Sequence, residues 1–174
     1  IHEIIIINNN PSKYNNRYSK FEKVKEFKYD NIYVNPAWNI GVFHSECENI
    51  CLLSDDINFN VDIFKFISNQ FKNENVKIIG CSKLSYTLDK DLEFTIEQIS
   101  IRNRGWGCLI FVKKSAYTWI PNDLKIHFGD DFLIKQLSGY VWRLNGLKID
   151  SNISESINSN SEFHKIIEED NKNS

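Results

Sequence analysis

The chain has no methionine, no CxxC pair, no GxxxxGK or GxGxxG loop, no excess of basic charge and no long apolar run. Without a glycine-rich phosphate loop, the usual signatures of a P-loop or dinucleotide-binding fold are excluded. Lys and Arg number 21 against 23 Asp and Glu, a net charge of −2, so no basic stripe offers itself to nucleic acid. The apolar runs at residues 4–7 and 108–112 are far too short for a transmembrane segment, and no charged-then-apolar leader opens the sequence. A cytoplasmic protein is therefore the expectation. The four cysteines (Cys47, Cys51, Cys81, Cys108) lack metal-ligand spacing and are expected to be reduced, mostly buried thiols. The missing methionine accompanies an abundance of Asn, Ile, Lys, Phe and Tyr, a coding bias that bears on origin and not on mechanism.

What the chain does have is 174 residues, 41% hydrophobic and 25% charged, enough for one ordinary globular domain with a core. Its most informative features are two acidic clusters, LSDDIN at 53–58 and GDDFL at 129–133. Each follows or opens an apolar segment, where unpaired buried charge is costly and a carboxylate pair needs a cation or polar ligand to face.

The apolar pattern predicts buried strands over 4–7, 49–53, 76–81 and 108–112, with further strands over 31–35, closed by Pro36, and 147–149. Residues 94–101 alternate as an edge strand does. Residues 13–30 fit a helix or a strand almost equally. Helices are predicted over 37–47, over 61–71, and from Asp130 through Val141 and Trp142 to Asn145 and Gly146. Residues 151–174 read as a polar tail with a short helix around 163–167, leaving 1–150 as the folded unit. Alternating strands and helices imply a mainly parallel central sheet covered by helices.

The order of motifs resembles the GT-A nucleotide-sugar glycosyltransferases, family-2 type. The resemblance rests on IIIINNNPS at 4–12, NPAWNIG at 35–41, LSDDIN at 53–58, GCLIFVKK at 107–114 and GDDFL at 129–133, and covers roughly residues 3–149. It implies an abbreviated, single Rossmann-like α/β domain. It also implies metal-dependent, inverting transfer of a sugar from a nucleotide diphosphate sugar, a UDP-sugar first among these, to a hydroxyl acceptor such as a glycan.

Carried over residue by residue, Asp56 would ligate Mn²⁺ or Mg²⁺ with support from Asn58, and Asp55 would face the ribose or the metal shell. Asn8, Asn10, Asn39 and Gly41 would lie along the nucleotide. Asp131 would be the general base with Asp130 beside it. Arg102, Arg104 and Lys113 are diphosphate candidates, Gly107 lies in the same motif, and Trp106 would be a sugar or acceptor platform. Asn8 stands where the family has Asp, and only Glu155 or His164 is offered for the family's late metal-binding His. Other readings stand beside these: both acidic pairs as helix-terminal charges, a non-catalytic nucleotide-sugar or glycan-binding relative, or a metal-dependent nucleotidyltransferase.

Overall fold

The computed structural model describes residues 1–13, 18, 20–100, 106–151 and 161–173. It is a mixed α/β fold. The chain opens with β1 (Ile4–Asn8), which pairs in parallel with β2 (Val24–Lys28) as a separate two-stranded ribbon. Of the two readings open for residues 13–30, the strand is the one found. The isoleucine run is not buried on both faces as expected. Ile4 is 46% exposed and its neighbours half-buried, because the ribbon lies outside the main sheet with α1 (Val34–His44) packed against it.

The start of α1 corrects a second expectation. The segment read as a strand ending at Pro36 is already helical from Val34. Pro36 is tolerated in the first turn, where a backbone N–H has no acceptor within the helix.

The main sheet contains β3 (Asn49–Leu53), β5 (Ile78–Cys81), β6 (Thr95–Gln98), β7 (Leu109–Lys113) and β8 (Val141–Asn145), while β4 (Ile57–Phe59) lies outside it. Its order is β3-β7-β5-β8-β6. Only β5–β8 is parallel; β3–β7, β7–β5 and β8–β6 are antiparallel. The expected mainly parallel sheet is thus a mixed one. The misreading has a physical cause: any strand covered on both faces shows a continuous apolar run, whatever the direction of its neighbours. As predicted, β6 is an edge strand.

Helices α1 and α3 (Gly129–Gln136) cover one face of the sheet, over Ile50, Leu52, Ile78, Ile110, Val112 and Val141. Helix α2 (Ile63–Gln70) and the ribbon formed by β4 with β9 (Ile149–Ser151) cover the other, over Ile79, Cys81, Leu109, Phe111 and Leu144. Helix α3 is shorter than predicted. It stops at Gln136, Gly139 turns the chain at φ 86°, and Val141 and Trp142 enter β8.

Within the segment read as a loose tail, α4 (Ser161–Asn173) docks through the buried Ile166 and Asp170. The four cysteines are free thiols. Burial pushes the Cys51 thiol up to about 12 and Cys81 higher still, so both stay protonated and unreactive. Among the described residues, no helix is long and apolar enough to cross a membrane.

Candidate functional site

The register fixes which segments share an edge. Leu53 lies opposite Leu109, Gly80 opposite Ile110, Cys81 beside Leu144, and Thr95 opposite Asn145. The carboxyl ends of β3, β5 and β8 therefore lie together, with the start of β7 among them. Both acidic clusters border this carboxyl edge.

The first acidic cluster is the turn between β3 and β4. The Ser54 N–H donates to the Cys108 carbonyl at 2.9 Å, which ties the turn to the start of β7. Ile57 is buried, while Asp55, Asp56 and Asn58 are exposed. Burial raises the Tyr86 hydroxyl pKa, and its bond to Cys108 and the nearby Cys108, Cys81 and Asp56 act in the same direction. The Ser54–Cys108 bond sets this turn next to the Trp106–Cys108 segment.

The second cluster opens α3, which packs against that same Trp106–Cys108 turn. The corner before it is fixed from two sides. From α1, the Asn35 side-chain amide donates to the Leu124 and His127 carbonyls at 3.1 and 3.0 Å. The Asn35 N–H donates to the Lys125 carbonyl at 3.0 Å. From α4, the Asp170 carboxylate, at 0% exposure, accepts the N–H groups of Lys125, Ile126 and His127, each at 2.8 Å.

Between these clamps Phe128 takes a left-handed φ of 61°, a conformation that a bulky residue adopts only when its surroundings enforce it. Gly129 follows because a Cβ there would sit 2.1 Å from Asn35 Oδ1. Asp130 is 6% exposed and accepts the Asp131 N–H at 3.1 Å, while Asp131 is half-buried. The start of a helix favours both charges.

The asparagine loop after β1 reaches the start of α1, where Asn9 Nδ2 donates to the Tyr33 carbonyl at 3.4 Å. Asn8 is buried, donating to Glu26 at 2.6 Å and accepting the Asn10 N–H at 3.0 Å. Asn10 is exposed and accepts from the Ser12 hydroxyl at 3.0 Å.

Other candidates are placed differently. Asn39 is 1% exposed; its amide donates to the Ile120 carbonyl and accepts from the Ile120 N–H and the Tyr117 hydroxyl, so its side chain serves the fold. Gly41 lies within α1, and a Cβ there would meet only Ile7 Cγ1 at 3.9 Å, an ordinary contact. Gly107 faces open space.

Trp106 is not a surface platform. It is 0% exposed and fills the slot left by Gly80, where a Cβ would lie 2.0 Å from the indole. Lys113 pairs with Asn49 at the far edge of the sheet and lies 3.7 Å from Glu74, so it cannot join the acidic edge. Arg102, Arg104 and Glu155 lie outside the described residues, and His164 is exposed on α4.

Two residues that the sequence did not flag, Asn35 and Asp170, hold this corner. Asn35 could have been noticed as a second asparagine four residues before Asn39, a polar pair along an otherwise apolar helix. Asp170 follows two glutamates and reads as a solvated charge.

No set of three or more His, Cys, Asp or Glu among the described residues is arranged to hold a metal. The adjacent oxygens of Asp55 and Asp56 still suit a hard divalent cation that takes its remaining ligands from water and substrate phosphates. No protein-family model and no curated protein matches the chain.

Proposed function

We propose that the chain is a small GT-A-type, family-2-like glycosyltransferase. In this reading it moves a sugar from a nucleotide diphosphate sugar to a hydroxyl acceptor, with inversion. The observation that carries the reading is that two carboxylate segments far apart in the sequence both border the Trp106–Cys108 turn at one sheet edge. One is open to solvent and the other is rigidly seated. The asparagine loop at the start of α1 gives further support.

Asp56, with Asp55, would hold Mn²⁺ or Mg²⁺, which would neutralise the diphosphate leaving group. Asp131 would take the acceptor's proton as its oxygen bonds to the anomeric carbon, and the carbon–phosphate-oxygen bond would break with its electron pair leaving on the diphosphate. Asn8 and Asn10 would line the nucleotide side. The exposed acidic pair, with no third protein ligand beside it among the described residues, also favours a second reading, a binding relative that holds the donor without transferring it.

Thermal shift with UDP, GDP and their sugars, with and without Mn²⁺, tests the donor site. Asp56→Ala should abolish the Mn²⁺-dependent shift. Asp131→Asn should keep the shift and lower turnover about 10²–10⁴-fold. Equal loss of donor binding in both variants contradicts the division of roles, and a donor shift without any acceptor-free donor hydrolysis favours the binding relative.

A further inference from the structure

We propose that a groove at the opposite edge of the sheet binds an uncharged oligosaccharide, a function separate from the acidic edge and independent of the transferase reading. The groove has a volume of about 440 Å³ and is lined by Asn73, Asn75, Gln98, Gly139, Tyr140 and Trp142. Trp142 and Gln98 face each other across the β6–β8 pair, near the start of β8. The three residue steps of β8 from Trp142 to Asn145 therefore separate them from the acidic edge, about 10 Å at the usual rise.

Its walls are held in place. Trp142 Nε1 donates to the Asn75 carbonyl at 3.0 Å, which fixes the indole, and Gln98 Nε2 donates to the Gly139 carbonyl at 2.6 Å. Lys77 Nζ sits 3.8 Å from the Tyr140 ring centroid and steadies that ring. Asn73 Oδ1 accepts the Asn75 N–H at 2.9 Å. Among the described residues, this leaves the Asn75 amide, the Asn73 amide nitrogen, the Gln98 carbonyl oxygen and the Tyr140 hydroxyl with bonding capacity to spare.

This lining selects a ligand class by its chemistry. Amides and a phenol both donate and accept, as sugar hydroxyls require, and the Trp142 indole offers an aromatic surface for pyranose C–H groups. No lining side chain is charged, which disfavours phosphates and acidic or basic peptides. None is aliphatic, which disfavours lipid and the apolar face of a partner helix. The nearby Lys113 is engaged with Glu74 and the Asn73 carbonyl, at 3.7 and 3.5 Å, and is not free to hold an anion.

The test is NMR titration of the whole chain with neutral tetrasaccharides of glucose, N-acetylglucosamine, galactose and mannose. Trp142→Phe assigns the Trp142 indole N–H signal among the four tryptophans. At least one saccharide should shift that signal. Asn75→Ala, which keeps the carbonyl that holds the indole, should weaken binding about threefold and Trp142→Ala about tenfold, losses of about 0.7 and 1.4 kcal/mol. In Asp56→Ala and Asp131→Asn the Trp142 signal should move as it does in the parent. The proposal fails if no saccharide moves the Trp142 signal. It fails equally if the shifts fall at the acidic edge alone, or if Asn75→Ala and Trp142→Ala bind as the parent does.

Discussion

Asp55 and Asp56 stand exposed in a turn secured by the Ser54–Cys108 backbone bond and the buried Ile57. Asp130, at the same sheet edge, is buried at a corner where Asn35, Gly129 and Asp170 between them fix the backbone from 124 to 129. One segment is therefore open to solvent, and the other is held to one geometry. In the proposed transferase, the open pair would release what it binds while the seated corner keeps its carboxylates at a set angle. The contrast also shows that acidic residues of similar appearance in sequence can be surface groups or framework.

The largest expected effect breaks the rigid side. Asp170→Ala strands three part-buried N–H donors and should cost about 3 kcal/mol in urea unfolding. A loss under about 1 kcal/mol would show that the clamp is redundant.

Glu3, another anchored carboxylate, sharpens the contrast through pH. Burial opposes its charge, but bonds from Lys25 Nζ, the Glu46 N–H and the Ser45 hydroxyl outweigh that and hold its pKa at about 2, against 4.5 normally. Its contribution is thus fully present above about pH 4.5 and lost as the pH falls toward about 2. Glu3→Gln should lower stability at pH 7 by about 1–2 kcal/mol and flatten this acid limb. Parallel pH profiles for variant and parent would remove Glu3 as the cause.

The smallest effect belongs to the open side. Asp56→Ala should change unfolding free energy by no more than about 0.5 kcal/mol, since the side chain is exposed. A larger cost would mean that the turn is also framework.

Much of the fold was legible where one physical signal dominated. The apolar run at 49–53 matches β3, and the alternation around 94–101 marks the edge strand β6. Strand direction was not legible, because burial on both faces erases the alternation that would distinguish antiparallel neighbours. Helix α3 was overextended because Leu133, Leu137 and Val141 keep the spacing of one helix face, while the break comes from the turn at Gly139.

The acidic edge was readable because adjacent carboxylates beside apolar runs demand an explanation. Its supports were not, since Asn35 acts on residues 89 to 92 positions away and Asp170 on residues 43 to 45 away. Trp106 misled for a related reason. Flanked by glycines, it reads as a loop residue, and the slot that buries it is made by Gly80 on another strand.

The Asp170 clamp also sets an order of events during synthesis. Lys125 leaves the ribosome 45 residues ahead of its acceptor, so nascent chains carry this corner half-made until α4 emerges. Ribosome-bound intermediates that stop short of residue 170 should accordingly expose the 125–127 backbone to proteases that the released protein resists.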